Sequence, residues 1–144
     1  MTFEKIMPLT AACLLAVGLS SATAGAQTTP AAGAAPDPAA FVQKWDRSGK
    51  GLLDLKGVLN AAVVKFGMLD KDRKGRLTQQ DLAPAVTAQD FASANPDGDA
   101  TIGAEEWFDL VRRHFYAANP DNDGSLSVEE LRTPAGQALL KLVQ

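Results

Sequence analysis

The chain has 144 residues, enough for one small domain, and a formal net charge of −3. Residues 37–81 contain nine Lys/Arg against six Asp/Glu, whereas residues 82–144 contain four against ten. The second half is therefore acidic, and no basic stripe of the kind that binds nucleic acid is present in the sequence.

The first 26 residues have the pattern of a secretory signal peptide. Glu4 and Lys5 precede an apolar run at 9–19, and the segment ends in the small residues Ala24, Gly25 and Ala26. The run is about half as long as a membrane-spanning helix requires, so cleavage is favoured over an anchor. We expect an exported protein with no membrane attachment after cleavage.

The mature chain would have no disulfide and no thiolate metal site, because the only cysteine, Cys13, leaves with the signal peptide. Residues 27–40 are rich in Ala and Pro and predict a disordered tether. The folded domain is predicted at 41–144.

A repeat organises this domain: four similar twelve-residue segments follow one another at spacings of 24, 25 and 24 residues. We call them loops 1 to 4; they begin at Asp46, Asp70, Asn95 and Asn119. Their sixth positions are Gly51, Gly75, Ala100 and Gly124, and their eighth positions are Leu53, Leu77, Ile102 and Leu126.

The polar positions match the EF-hand pattern, in which a tight turn supplies oxygen ligands for a hard cation. Positions 1, 3 and 5 supply side-chain oxygens, position 7 supplies a backbone carbonyl, and a carboxylate at position 12 completes the shell. Glycine is favoured at position 6 by the sharp turn. The apolar eighth residue is expected to pair with its counterpart in a neighbouring loop as a short β-bridge.

Loops 3 and 4 have the more complete ligand sets. Ala100 stands at the sixth position of loop 3 and must adopt a conformation that is easier for glycine. Three carboxylates remain in each loop, so both are predicted to bind metal. The ligands are Asn95, Asp97, Asp99, Thr101 and Glu106 in loop 3, and Asn119, Asp121, Asp123, Ser125 and Glu130 in loop 4.

Loop 2 is a weaker candidate, because Lys74 stands at position 5 and the short Asp81 stands at position 12. Its candidate ligands are Asp70, Asp72, Arg76 through its carbonyl, Thr78 and Asp81, and weak binding and no binding both stay open. Loop 1 has Lys50 at position 5 and Gly57 at position 12. Loop 1 is therefore predicted to fold without metal, and its polar residues Asp46, Ser48 and Asp54 are not expected to be ligands.

About twelve residues separate successive loops, so one helix must leave one loop and enter the next. Helical spacing predicts an apolar face in the first and third of these shared helices. Pro84 is expected to break the second, with Thr87 capping a new helix. The predicted faces are Val58, Leu59, Ala62, Val63, Phe66 and Leu69, and Trp107, Leu110, Val111, His114 and Phe115.

The last helix is expected to begin at Thr133-Pro134 and to bury Leu139, Leu140 and Val143. The predicted fold is all-α: a compact EF-hand bundle with four loops and shared short helices. His114 is interpreted as a structural residue on an apolar side, and the aromatics Trp45, Trp107 and Tyr116 are interpreted as core or loop-flanking residues. No set of residues typical of an active site is present in the sequence, so an enzyme is not expected.

The chain resembles lanmodulin, the periplasmic lanthanide-binding EF-hand family of methylotrophic bacteria. The resemblance rests on the small exported chain, the four loops, their spacing, and proline at the second loop position, Pro96 and Pro120. It covers about residues 41–144 and is closest at 115–124 and 133–140. It implies a periplasmic protein that binds lanthanide(III) ions, and Ca²⁺ more weakly, and becomes more compact on binding. The ligand sets of the individual loops predict two to three ions per chain.

The resemblance also implies a role in lanthanide uptake, storage or delivery, with a lanthanide-dependent dehydrogenase or an uptake component as partner. Two departures from the family pattern are present. Gly103 and Ser127 stand at position 9, where the family has Asp, and this loss of carboxylates reduces the expected affinity and selectivity. Loops 1 and 2 have Arg47 and Lys71 in place of proline, which indicates a divergent relative with fewer sites and a different selectivity.

Two other functions stay open at this point. One is a Ca²⁺ buffer or sensor, and the other is a dockerin-like interaction module that metal merely stabilises. Four repeats in a small exported chain argue against the module, since dockerins have two repeats attached to an enzyme. The sequence does not determine the oligomeric state, and a homo-oligomer stays open.

Overall fold

A computed structural model describes residues 36–144. The predicted signal peptide and the tether up to residue 35 lie outside the described residues. Within 36–144, no helix is long and apolar enough to cross a membrane.

The described chain is mostly helical, with two small antiparallel sheets of two strands each, so the all-α class is right. In chain order its elements are α1 (Pro38–Trp45), β1 (Leu53–Asp54), α2 (Leu55–Leu69), β2 (Arg76–Thr78), α3 (Gln79–Leu82), α4 (Ala88–Ala94), β3 (Thr101–Gly103), α5 (Ala104–Ala118), β4 (Ser125–Leu126), α6 (Val128–Arg132) and α7 (Pro134–Val143).

Helix α1 begins at Pro38, inside the segment predicted as a tether. The Asp37 side chain accepts a hydrogen bond from the backbone N–H of Ala39 at 3.0 Å, and proline occupies the first turn, where its missing N–H costs nothing. Phe41 and Val42 are buried, so their apolar side chains hold this short helix against the domain. The predicted boundary at residue 41 is therefore a few residues late.

The shared helices are confirmed. α2 connects loop 1 to loop 2 and α5 connects loop 3 to loop 4, both without interruption. The second connection is broken as predicted: α3 ends at Leu82, before Pro84, and α4 follows Thr87. The Thr87 hydroxyl accepts a hydrogen bond from the Asp90 N–H at 3.1 Å, which is an N-cap.

The loops pair through their eighth positions, as predicted. Leu53 stands opposite Leu126, and Leu77 stands opposite Ile102. Loop 1 therefore pairs with loop 4, and loop 2 pairs with loop 3, a choice that the sequence left open. All four side chains are fully buried, so each sheet closes over the core.

Trp107 is at the centre of the core, with no exposed surface. Its indole N–H donates to the carbonyl oxygen of Ala62 at 3.1 Å, so α5 is tied to α2 by a buried hydrogen bond. Helix α7 packs against α5, α6 and α2, and its predicted core positions are all buried: Leu139, Leu140 and Val143.

One residue of the predicted apolar faces, Val63, is exposed, and so is Tyr116, which was interpreted as a core or loop-flanking aromatic. Val63 on α2 is 54% exposed, because Val58, Ala61 and Ala62 define the buried side of that helix and Val63 projects away from it. Tyr116 is 57% exposed and touches Phe115 edge-on from the outside. Each lies one residue after a buried neighbour and therefore about 100° further around the helix. At that angle, the sequence pattern alone does not distinguish the edge of the buried face from the exposed side.

His114 is partly buried, and its Nε2 lies 3.9 Å from the Asp90 Oδ1 on α4. Burial lowers the pKa of His114, while the negative charge of Asp90 acts in the opposite direction. The contact joins α4 to α5 and agrees with a structural role.

Candidate metal centre

The four loops share one backbone conformation, which supports the repeat independently of residue identity. Positions 4 and 6 have positive φ in every loop. The residues are Gly49 (71°), Arg73 (55°), Gly98 (70°) and Asn122 (55°) at position 4, and Gly51 (73°), Gly75 (71°), Ala100 (68°) and Gly124 (85°) at position 6. The requirement at position 4 was missed from the sequence, although Gly and Asn there were a usable signal.

Ala100 has φ of 68°, as its place in the repeat predicted. A left-handed conformation brings the alanine Cβ close to backbone oxygen atoms and costs about 1 kcal/mol. Loop 3 therefore forms at a small conformational cost that loop 4, with Gly124, does not have.

We expect Ala100→Gly to stabilise the metal-free protein by about 0.5–1 kcal/mol, because the relief of strain exceeds the added entropy of the unfolded chain. Thermal or urea unfolding measures the change. The control is Ala117→Gly on the exposed side of α5, where the same substitution should destabilise by a similar amount. Equal effects at the two positions would contradict this explanation.

Loop 4 holds two buried oxygen atoms that have no hydrogen-bond partner: Asn119 Oδ1 and Glu130 Oε1. Asn119 is 1% exposed, at the end of α5, and Glu130 is in the first turn of α6. The other carboxylate oxygen, Oε2, accepts hydrogen bonds from the N–H and the hydroxyl of Ser127, each at 2.8 Å. Glu130 is thus held in place by one oxygen and leaves the other without a partner.

The remaining predicted ligands of loop 4 line the exposed turn between these two residues. Asp121 accepts from the Asp123 N–H at 3.3 Å. Asp123 Oδ1 accepts from the N–H of Ser125 at 2.8 Å and from its hydroxyl at 2.9 Å. These bonds give the turn its shape and leave carboxylate oxygens accessible.

Loop 3 has a similar framework. Glu106 Oε2 accepts from the Gly103 N–H at 2.8 Å, as Glu130 does from Ser127. Asn95 accepts from the Gly98 N–H at 2.9 Å, and Asp97 accepts from the Asp99 N–H at 3.2 Å.

Asp99 differs from its counterpart Asp123, because a guanidinium contacts it. Hydrogen bonds from Thr101 lower the pKa of Asp99, and Arg76 adds to the effect in the same direction. This contact with Arg76 was not predicted from the sequence.

In loop 2, the lysine at position 5 forms an ion pair with the aspartate at position 3. Lys74 Nζ lies 2.6 Å from Asp72 Oδ2, so the residue at position 5 neutralises the residue at position 3. Hydrogen bonding to Lys74 lowers the pKa of Asp72, and the same bond raises the pKa of Lys74. Thr78 is the N-cap of α3, and Asp81 completes a capping box with it. Asp81 accepts from the N–H of Thr78 at 2.9 Å and from its hydroxyl at 2.6 Å, and these bonds lower the pKa of Asp81.

Loop 1 is closed by hydrogen bonds within the loop. Asp46 accepts from the N–H groups of Ser48, Gly49 and Gly51 and from the Ser48 hydroxyl, and the bond from that hydroxyl is the main reason that its pKa is lowered. Asp54 accepts from the Gly57 N–H at 2.7 Å and so caps α2.

Gly57 occupies the position where loops 3 and 4 have glutamate. A Cβ there would lie 2.9 Å from the buried Leu53 Cδ1, so a longer side chain does not fit without rearrangement. Loop 1 therefore has no carboxylate at position 12, and its folding without metal stays a prediction.

The ligand sets of loops 3 and 4 are made entirely of oxygen atoms, as Ca²⁺ and other hard cations require. Within residues 36–144, no three His, Cys, Asp or Glu side chains converge as a ready-made group for a metal ion. Each predicted set is mixed, with Asn, Ser or Thr and carbonyl oxygens beside its carboxylates. The observation that fits a cation is therefore the pair of buried oxygens without partners in loop 4.

No protein-family model matches the chain, and no curated protein matches it significantly.

Proposed function

We propose that this chain is an EF-hand-type binding protein for hard cations, with loop 4 as its principal site and loop 3 as its second. The preferred ion is a trivalent lanthanide, with Ca²⁺ bound more weakly. Storage or delivery of the ion in the periplasm, with a lanthanide-dependent dehydrogenase or an uptake component as recipient, is the corresponding biological role.

One observation carries the proposal: Asn119 Oδ1 and Glu130 Oε1 are buried at positions 1 and 12 of the same loop, and neither accepts a hydrogen bond. Buried oxygens without partners are rare, because each loses its bonds to water and regains nothing. A cation that both oxygens contact would compensate for that loss. Positions 1 and 12 are also the two ends of the ligand sequence that an EF-hand requires.

The charge of the second half supports the same function. Its acids are concentrated in and around loops 3 and 4, where they repel one another until a cation neutralises them. Binding should therefore stabilise and order this half, since free energy of binding is also free energy of folding. The preference for a trivalent ion rests on the resemblance of the two Asn-Pro loops to lanmodulin.

Terbium luminescence tests the proposal. Trp107 directly follows Glu106 and is buried, so it is placed to sensitise Tb³⁺ held in loop 3, while calorimetry counts the ions in both loops. We expect two ions per chain and emission that persists when Ca²⁺ is added to about 1 mM, the range of weak extracellular Ca²⁺ sites.

Three outcomes are distinguished by this titration. Ready displacement of Tb³⁺ by Ca²⁺ would identify a Ca²⁺ protein, an outcome that Gly103 and Ser127 favour because they add no carboxylate at position 9. Absence of Tb³⁺ and Ca²⁺ binding would contradict the proposal altogether. Binding of two ions by the doubly substituted Glu106→Gln, Glu130→Gln protein would show that the sites are elsewhere.

A further inference from the structure

Arg76 reaches from loop 2 into loop 3. It lies at position 7 of loop 2, on β2, and its backbone stands opposite Gly103 on β3. Its guanidinium Nη1 forms an ion pair with Asp99 Oδ2 and a hydrogen bond with Thr101 Oγ1 at 3.3 Å. Asp99 and Thr101 are positions 5 and 7 of loop 3, so one arginine contacts two residues of the proposed site.

The contact leaves Asp99 with both oxygens in use. Oδ1 accepts from the Thr101 N–H at 2.9 Å and from its hydroxyl at 2.7 Å, and Oδ2 contacts Arg76. A cation that enters loop 3 must therefore compete with a positive charge that the protein supplies itself.

Loop 4 provides an internal comparison, because it pairs with loop 1 in the way that loop 3 pairs with loop 2. The residue of loop 1 that corresponds to Arg76 is Leu52, which carries no charge. Asp123, the counterpart of Asp99, accepts hydrogen bonds from Ser125 alone, and within residues 36–144 no Lys or Arg side chain pairs with it.

We propose that Arg76 is an internal competitor that weakens cation binding by loop 3 and so favours the filling of loop 4 before loop 3. The inference rests on the proposed function and adds a determinant of relative affinity that lies outside the loop it controls. Filling of loop 3 releases Arg76 from Asp99.

The size of the effect follows from the exposure of the pair. The Arg76 side chain is 58% exposed and that of Asp99 is 33% exposed, so water and salt screen their attraction. Partly exposed pairs of this kind correspond to a factor of about two to five in an equilibrium constant. The same ion pair is broken whichever cation enters, so this factor should apply to Ca²⁺ and Tb³⁺ alike.

The test isolates each loop before changing Arg76. Glu130→Gln leaves loop 3 as the measured site, and Glu106→Gln leaves loop 4. In each background, Arg76→Leu copies the residue that loop 1 has at this position. Arg73→Leu is the matched control, because it removes the same charge from loop 2 and, within residues 36–144, Arg73 pairs with no acid.

Dissociation constants for Tb³⁺ and Ca²⁺ are measured by calorimetry at low salt and at about 0.5 M salt, with circular dichroism to show that each variant is folded. We expect Arg76→Leu to lower the dissociation constant of loop 3 about two- to fivefold at low salt and by less at high salt. Loop 4 should not change, and Arg73→Leu should change loop 3 less than Arg76→Leu does.

Two results would overturn this inference without affecting the proposed function. One is an unchanged cation affinity of loop 3 after Arg76→Leu, and the other is an equal gain in that affinity after Arg73→Leu. A loop 3 that binds no ion with either residue at position 76 also overturns it. Loss of Tb³⁺ and Ca²⁺ binding by the unsubstituted protein overturns the proposed function instead, so the two failures are distinguishable.

Discussion

Replacement of Glu130 by glutamine is expected to weaken cation binding by loop 4 on the order of 100-fold, because it removes the carboxylate that closes the ligand shell. The metal-free protein should keep its fold. Calorimetric titration with Tb³⁺ or Ca²⁺ measures the affinity, and urea unfolding with and without metal measures the stability.

The hydrogen bonds of Glu130 explain why the substitution should weaken cation binding and still leave the metal-free protein folded. Ser127 donates to Oε2 from both its N–H and its hydroxyl, and a glutamine carbonyl oxygen can accept both bonds, although less strongly than a carboxylate oxygen. The amide NH₂ then takes the place of the buried Oε1, and an NH₂ group donates hydrogen bonds and does not bind cations. The substitution weakens the bonds from Ser127 and also removes the negative charge next to the buried, unpartnered Oε1, so the stability of the metal-free fold should change little.

Glu129→Gln is the matched control, since it removes the same charge one residue earlier. Glu129 is 78% exposed and pairs with Arg132, not with the loop. With metal at about 100 times the unsubstituted Kd, binding at one site adds about 2.7 kcal/mol of stability. Glu129→Gln should keep this gain and Glu130→Gln should lose most of it. Equal gains in both variants would show that Glu130 is not a ligand.

The repeat made much of the fold predictable from the sequence. The spacing of the loops determined that α2 and α5 are shared helices, and the apolar eighth positions determined that the loops meet through Leu53, Leu77, Ile102 and Leu126. Local capping chemistry placed the starts of α4 and α7 at Thr87 and Thr133. These features depend on neighbours in the chain, which a sequence displays directly.

The rest depends on contacts between distant residues. The pairing of loop 1 with loop 4 follows from how α2, α5 and α7 pack together, and no residue in either loop encodes it alone. The contact of Arg76 with Asp99 follows from the register of β2 and β3, which brings residues 23 apart in sequence together. From the sequence, Arg76 was placed only in loop 2, as a candidate carbonyl ligand.

Gly136→Ala is expected to destabilise the protein by about 3 kcal/mol or more, the upper range for overpacking a core. A Cβ at Gly136 would lie 2.3 Å from the Glu130 carbonyl oxygen and 2.4 Å from the Leu131 Cα. Both atoms are backbone, so no side-chain rotation relieves the clash. Helix α7 would have to move away from α6, and the buried side chains of Leu139 and Leu140 would move with it.

Gly67→Ala is the control, because Gly67 lies in α2 and is exposed, and a Cβ added there would meet no atom of another element within 4 Å. It should stabilise the protein by about 0.5–1 kcal/mol, through helix propensity alone. Urea unfolding without metal compares the two variants. Similar stabilities would mean that α6 and α7 are not in backbone contact.

The position of this contact links the core to the proposed site. The carbonyl that meets Gly136 belongs to Glu130, the residue whose side chain would close loop 4. A shift of α6 by even about 1 Å would misplace that carboxylate, and metal coordination tolerates little displacement of its ligands. Gly136→Ala should therefore also weaken cation binding by loop 4. Binding by loop 3 should be less affected, because its glutamate is on α5. Calorimetry at temperatures below the unfolding transition measures both affinities. An unchanged loop 4 in a folded Gly136→Ala protein would show that the packing of α7 does not position Glu130.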